Sequence, residues 1–450
     1  MSHTRIIHSS PVAIAVLISF LLGTACLAGD QGASAADQGL LPIPDYGGDF
    51  WSRPYLSGDW GGLRDDLAGD GVQADVQWTQ TGQSVVDGGW GTGTQYAGSL
   101  DYNITLDLMR MGLMPGAMLK IRGESRYGEA INDLAGPFLP ANVDAQAPLT
   151  DTIDENVPIT ITNVNYIQFL SEQLALTLGK FDTYDGDPTE FASGRGVTQF
   201  MNFNFVYNAA GALAPYSTLG AGVILMPNEN LTISSVVTNL ADSSTTSGFD
   251  DFGEGWSWST EANYQYRMGN LPGGMNLGAL FSFDGEFTRL DKRFVLVPGQ
   301  GLTAPTDDES WGVYWTGWQY LKVEDEVTGP VDLADGRPDH QGFGLFSRIG
   351  FSDDKTNPAE FAASIGLGGR GVIDGRDNDV FGVGYYYLGI ADSRIVSALG
   401  FDDDSQGMEA FYNVALAEST SLTFDVQVLN APAPGIDTSL LFGLRLNTRF

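Results

Sequence analysis

The sequence predicts an all-β chain, a transmembrane antiparallel β-barrel of about 16 strands preceded by a short N-terminal helix. Three observations predict it. Segment after segment alternates apolar and polar residues with period two. Beyond residue 28, no stretch approaches the ~20 consecutive apolar residues that a membrane helix needs. The chain is also rich in residues of strands and turns, with 58 Gly, 17 Tyr, 25 Phe and 9 Trp among 450 residues. A chain that crosses a membrane without helices must close into a barrel, because lipid offers no partner to an open backbone edge.

Residues 1–28 decide the compartment. Arg5 precedes an apolar run from Pro11 to Leu22, and Ala25-Cys26-Leu27-Ala28 supplies small residues for cleavage. That is the pattern of an export signal peptide, and the run is too short to span a bilayer. A lipoprotein reading on Cys26 fits poorly, since Gly23 stands where a large aliphatic residue is expected. Cys26 is the only cysteine, so the cleaved chain uses no disulfides and relies on backbone pairing or a large core. The net charge of -34 speaks against a nucleic-acid partner. The destination read from these features is the outer membrane of a Gram-negative-type bacterium.

Residues 29–55 are Gly/Ala/Asp/Pro-rich without periodicity and read as a flexible leader. Residues 56–71 read as a short helical segment, with Asp59 able to cap it and Trp60, Leu63 and Leu67 on one face. Its expected role is a small plug or clamp at the near end of the barrel. The barrel domain then runs over 72–450. Leu100, Tyr102, Ile104, Leu106 and Leu108 alternate with Asp101, Asn103, Thr105 and Asp107. Trp256 to Arg267 and Leu422 to Val428 repeat the pattern, which suits lipid outside and water inside. A soluble β-sandwich would also alternate, but the chain length and the two ends favour the barrel.

Strands are expected near 72–82, 100–110, 117–127, 160–170, 174–181, 218–226, 231–238, 256–267, 276–283, 311–321, 343–351, 361–370, 380–388, 410–417, 422–428 and 440–450. Their connections alternate: Met111–Gly116, Ser171–Gln173 and Pro227–Asn230 are tight, whereas Gly128–Ile159, Asp182–Ser217 and Asp284–Ser310 are long. Short periplasmic turns and long outer loops characterise this barrel class. The rule breaks at Lys322–Gly342, which is long where a short turn belongs; either a strand is missed there or a neighbour is misplaced. In the last strand Leu440, Phe442, Leu444, Leu446, Thr448 and Phe450 face one way, putting an aromatic residue at the lipid interface.

Several segments resemble the carbohydrate-selective porins of the OprB family. The resemblance begins at Leu56-Ser57-Gly58-Asp59-Trp60-Gly61-Gly62-Leu63-Arg64, with Leu67 and Gly71-Val72 following. It continues at Leu178-Gly179-Lys180-Phe181-Asp182 and the Leu271-Pro272-Gly273-Gly274 turn. Its most specific part is Gly344-Leu345-Phe346-Ser347-Arg348, then Gly366-Leu367-Gly368, Gly371, Gly375-Arg376 and Asp379-Val380-Phe381-Gly382. Glu409 with Tyr412, and Gln427 ahead of Asn430-Ala431-Pro432, close it. What the resemblance implies is passive diffusion of small sugars across the outer membrane through a monomeric pore. The alternative reading, suggested by the charge, is a general cation-preferring diffusion porin.

Enzymatic readings are thin. His3 and His8 leave with the signal, so the mature chain keeps only His340, an ordinary solvated loop residue by position. A Ser–His–Asp or Cys–His apparatus, or a His-built metal site, lacks its parts. A glycosidase needs two carboxylates, but nothing singles out a pair among 56 acidic residues. Gly366-Leu367-Gly368-Gly369-Arg370-Gly371 matches the dinucleotide string, yet a turn follows it where a helix should open. Those glycines better suit strands that bend or pass close to a neighbour. No cofactor is called for. The acidic clusters Asp307-Asp308-Glu309, Asp353-Asp354 and Asp402-Asp403-Asp404 suit divalent cations that bridge to lipopolysaccharide, or are simply solvated.

Basic residues are more informative because they are scarce, 22 against 56 acids. In the third strand Leu119 and Ile121 face lipid, which turns Lys120, Arg122, Glu124 and Arg126 inward. Arg267, Arg348, Arg370, Arg445 and Arg449 also fall on inward phases, as they should, since a mid-membrane Arg on the lipid face costs ~2–4 kcal/mol. The ladder of Lys120, Arg122, Glu124 and Arg126, with Arg267, Arg348 and Arg370, is the candidate pore lining. Such groups can exchange hydrogen bonds with sugar hydroxyls, with aromatic faces beside them stacking on pyranose rings; the alternative is a structural salt-bridge lattice across the lumen with no substrate role. The loop Gly128–Ile159 follows directly and is expected to fold into the pore.

Overall fold

A computed structural model describes residues 39–145, 151–152, 155–156, 158–185, 189–297, 301–324, 331–333, 336–391, 400 and 404–450. The expected signal peptide and the start of the expected leader lie outside the described residues. Period-two patterning gives a closed antiparallel barrel of 16 strands. In chain order these are β1 (Val72–Gly89), β2 (Gly93–Asp107), β3 (Ala117–Gly128), β4 (Thr160–Ser171), β5 (Leu174–Asp182) and β6 (Ser217–Asn228). Next come β7 (Leu231–Asn239), β8 (Trp256–Met268), β9 (Leu271–Phe283), β10 (Ser310–Val323) and β11 (Gly342–Ser352). The barrel ends with β12 (Ala359–Arg370), β13 (Val380–Ile390), β14 (Asp404–Ala417), β15 (Thr420–Asn430) and β16 (Asp437–Arg449). Each strand pairs with its sequence neighbour, and β16 closes on β1 from Gln77↔Arg449 to Gly89↔Asp437.

The two faces of the wall differ as the alternation requires. Leu277, Ile365 and Phe424 are at least half exposed, whereas their inward neighbours Asn276, Ser364 and Asp425 are buried. Among the described residues no helix is long and apolar enough to cross a membrane. The apolar outer band is therefore the lipid contact, and the polar inner face surrounds the lumen.

Three expectations are corrected. The helix α1 (Leu63–Gly69) starts after Asp59, whose carboxylate instead accepts from Gly61 N in the preceding turn. It buries Arg64 and Ala68 while Trp60 and Leu63 stay exposed. The Arg64 guanidinium lies 4.0 Å from the Tyr46 ring centre and 4.4 Å from that of Tyr55, and donates to Ala74 O and Phe450 O. Such a cation is best satisfied under aromatic faces with carbonyl acceptors, which decides the face that turns in. Residues 39–55, read as part of a flexible leader, instead make defined contacts: Leu41 N donates to Asp107, Arg110 donates to Leu41 O, and Leu40 packs on Met118 and Ile167. At Lys322–Gly342 no neighbour is misplaced, and no further barrel strand lies among the described residues of the connection. β10 and β11 pair directly, from Gly312↔Ser352 to Val323↔Gly342, with the long connection between them.

Candidate functional site

Two outer connections fold into the lumen. Residues 129–145, which follow β3, carry α2 (Asn132–Ala135) and bury Ile131, Ala141 and Val143. The connection from β5 to β6 carries α3 (Phe203–Val206) and buries Phe191, Phe200, Phe203 and Phe205. The two hold each other by backbone, Val143 N to Met201 O and Phe203 N to Pro140 O. The expectation for the first loop thus extends to a second that was missed. Its signal was the run Phe200 to Tyr207, too apolar for a solvated outer loop.

The second loop lies against the inner wall of β10–β16. Its aromatics join Trp318, Tyr320, Phe346, Tyr386 and Phe411 in one apolar cluster. Glycines make the close approach feasible. A Cβ on Gly382 would come within 2.7 Å of Phe200, and one on Gly384 within 2.5 Å of Phe205. Gly366 and Gly368 of the apparent dinucleotide string lie under Phe346 and Phe191, so the string is a packing surface.

Three charged wall residues then hold the loop backbone. Arg348 donates to Phe205 O, Val206 O and Ala192 O. Arg445 donates to Gly196 O and Gln199 O at 2.5 and 2.6 Å. Glu409 accepts from Met201 N at 2.6 Å and from Asn202 N at 2.9 Å. Loop backbone buried away from water needs such partners, since an orphaned buried group costs ~1–3 kcal/mol. Arg348, predicted to line the pore, is only 2% exposed and braces the loop instead.

Across the lumen, β2–β5 carry a charged lattice. Arg122 pairs with Asp182 at 3.0 Å and donates to Asn103. Arg126 meets Asp101, Glu124 and Asp144 at 3.2, 3.4 and 3.5 Å. From the second loop Arg195 reaches Asp182 at 2.8 Å and Glu124 at 3.0 Å, and donates to Tyr216 Oη. Arg195 sits at a left-handed turn (φ 53°) between two left-handed glycines, Gly194 and Gly196, and this turn aims it at the wall. Burial pushes the Asp144 carboxyl up despite Arg126 beside it, and pushes the Tyr216 hydroxyl well up.

The predicted ladder is therefore split. Glu124 is fully covered and the Arg126 side chain is 7% exposed, while those of Arg122 and Arg195 keep 18% and 21%. Lys120 is half-buried on the same inner face. Arg267 is exposed at the near end of β8, and Arg370 is bound at the turn after β12 by Asp377 O, Pro338 O and Asn378. Neither reaches the lattice. Arg195, Asp182, Asp101 and Asp144 were missed, because nothing local marks which acids a distant loop will meet. Beside Arg195, the Tyr184 ring lies tilted against Tyr207 at 4.7 Å, meets Tyr216 edge to face at 4.9 Å and touches Phe203.

At the outer rim Asp307 is taken by Arg289 at 2.6 Å. Among the described residues no group of three or more His, Cys, Asp or Glu is placed to hold a metal ion, and Asp402 and Asp403 lie outside them.

The sequence profile of the carbohydrate-selective porins, OprB family, matches residues 91–450. The high-pH structure of OprB from Pseudomonas putida is similar over 90% of this chain and 100% of that one, with 18% identity and a TM-score of 0.75. The low-pH structure of the same porin covers 89% and 99%, with 14% identity and a TM-score of 0.55. No curated protein matches the chain.

Proposed function

The chain belongs to the carbohydrate-selective porin family OprB, an outer-membrane pore for passive diffusion of small carbohydrates, and we propose that its sugar contact is the Arg122–Asp182–Arg195 bridge. The observation that carries this is two guanidiniums sharing one carboxylate while each keeps part of its surface open to the lumen. A hydroxyl finds fixed donors within one sugar's reach, held in place by a carboxylate that is itself covered, at little reorganisation cost. The Tyr184–Tyr207 faces alongside suit the apolar side of a pyranose. Lys120 extends the polar track; Glu124 and Arg126 hold its geometry from behind.

No chemistry is performed on the sugar, and the chain is a channel rather than an enzyme. Export through a cleaved signal over 1–28 fits this location. The lipid band contacts outer-membrane lipid; for a divalent bridge to lipopolysaccharide, the neighbouring Asp353 and Asp354 would need a lipid phosphate to complete the ion's shell. The deciding experiment for sugar contact is single-channel recording in a planar bilayer under sugar titration. Mono- or disaccharides should block the current at a concentration that Arg195→Ala raises. Current indifferent to sugar would instead describe a general diffusion pore.

A further inference from the structure

The connection that breaks the alternation of long and short turns does not hang below the barrel. Its described residues, 331–333 and 336–341, rise into the lumen. Val331 is 2% exposed, packs with Leu333 on the interior apolar cluster, and exchanges two hydrogen bonds of 2.9 Å with Gln265 on β8. Asp332 N donates to Asp339 Oδ2, closing the segment on itself. Further along, Arg370 on β12 donates to Pro338 O, and His340 N donates to Tyr320 Oη on β10. His340 is accordingly half-buried against the Tyr320 ring, not a solvated loop residue.

The segment also meets the constriction loop from below. Thr198 Oγ1 donates to Gly336 O at 2.7 Å, and Asp339 N donates to Glu190 Oε1 at 2.7 Å. Glu190 is 1% exposed, accepts from Tyr320 Oη on the same oxygen, and leaves Oε2 without a partner. Gly336 and Gly194 touch backbone to backbone: a Cβ on Gly336 would lie 2.6 Å from Gly194 Cα, and both have positive φ. No side chain fits between them.

We propose that residues 331–333 and 336–341 form a strut across the near end of the lumen, which positions the constriction loop and makes a second narrowing in series with the Arg122–Asp182–Arg195 contact. An overlong turn needs only its own ends tied. This one is anchored to three separate strands and to the loop above it, and it fills lumen volume with buried apolar side chains. Tilting the strut would carry Gly194 with it, and hence the Arg195 turn. The inference rests on the sugar-contact reading, since it assigns Thr198, Glu190 and Gly336 as positioning residues for that contact.

The test replaces residues 324–341 with an Asn-Gly turn, the two-residue connection a hairpin accepts. Thr198→Val and Gly336→Ala are made alongside in case the replacement does not assemble, and heat-modifiable gel mobility reports assembly. The readouts are single-channel conductance, the half-blocking sugar concentration and liposome swelling rates for di- over monosaccharide. The turn replacement should raise conductance by about twofold or more and speed the disaccharide selectively; the point changes should shift both the same way by less. Assembled variants with wild-type conductance, block and swelling ratio overturn the strut, even if their melting temperature falls. A wild-type pore that no sugar blocks overturns the contact reading instead, while the conductance and swelling comparisons still decide the strut.

Discussion

The inner faces of β2–β5 and of β11–β16 share a phase but not a job. On β2–β5 the inward positions carry Asp101, Arg122, Glu124, Arg126 and Asp182, which pair side chain to side chain and with the loop's Arg195, leaving the guanidiniums of Arg122 and Arg195 partly open. On β11–β16 they carry glycines, aromatics and charges of which Arg348, Glu409 and Arg445 hold loop backbone, Arg445 reaching Thr423 Oγ1 as well. An inward charge is thus not in itself a pore-lining charge. What a folded-in loop covers becomes its scaffold, and what the loop faces becomes the channel.

The comparison breaks most visibly on the covered wall. Arg445→Met keeps the bulk and removes every donor, leaving Gly196 O and Gln199 O buried without partners. Each orphaned carbonyl costs ~1–3 kcal/mol, enough to free that part of the loop. Conductance should rise and sugar block weaken by more than about tenfold, because the whole constriction loosens. The melting temperature should fall too. Retained block would mean that the loop is held by its aromatic packing alone.

On the open wall the effect should be smaller and cleaner. Arg195→Ala or Arg122→Ala removes one multi-donor contact, of the order of 1–2 kcal/mol for hydroxyls bound to a charged group. Half-blocking sugar concentration should rise about tenfold while conductance increases and assembly is spared. Leu119→Ala, three residues from Arg122 on the lipid face, should leave both pore properties at wild-type values. If Arg122→Ala behaves like Leu119→Ala, β3 does not line the contact.

The strand plan was legible because alternation is local. Each predicted strand finds its partner, but the ends shift where Gly and polar positions blur the period: β1 runs to Gly89 and β14 starts at Asp404, while β2 spans Gly93–Asp107 where the alternation predicts 100–110. Phase was legible for the same reason: Arg122, Arg348, Arg370 and Arg445, placed inward by it, make lumen-side or rim contacts. Role was not. Arg445 and Gly196 are 249 residues apart, and no window of sequence shows that a loop will cover one wall and not the other. The aromatic run Phe200 to Tyr207 and the inward glycines of β11–β13 are complementary halves of one surface, readable only as a pair.

A pH dependence should distinguish the loop's foot from both walls. Burial pushes the Glu190 carboxyl up to about 8 from an ordinary 4.5, helped by Asp339 and Asp332 and opposed by the Tyr320 hydrogen bond. The charged and titratable groups around it are Tyr320 on β10, and Asp332, Asp339 and His340 on the strut. A raised value means the neutral form is the native one: its contribution is whole below about 4.5 and is lost as pH climbs through about 8. Conductance should stay level through mildly acidic pH and rise on passing 8, and Glu190→Gln should flatten that step. A step that survives Glu190→Gln belongs to another group.

The smallest effect is expected at Arg267, and it sharpens the contrast between mouth and constriction. Arg267 shares the inward phase of Arg122 but sits exposed at the near end of β8, opposite Pro272. An exposed guanidinium exchanges hydrogen bonds with solvent besides those with its protein partners, so a passing sugar gains little there. Its charge is also screened within about 8–10 Å at ordinary ionic strength, which leaves only a mild influence on ions entering the mouth. Arg267→Ala should therefore change half-blocking sugar concentration by less than about twofold and shift cation preference slightly, more at low salt than at high. Measured beside Arg122→Ala in the same bilayers, it asks whether depth in the lumen or mere inward phase confers sugar contact. Equal losses of block from the two changes would put phase ahead of depth and move the contact away from the Arg122–Asp182–Arg195 bridge.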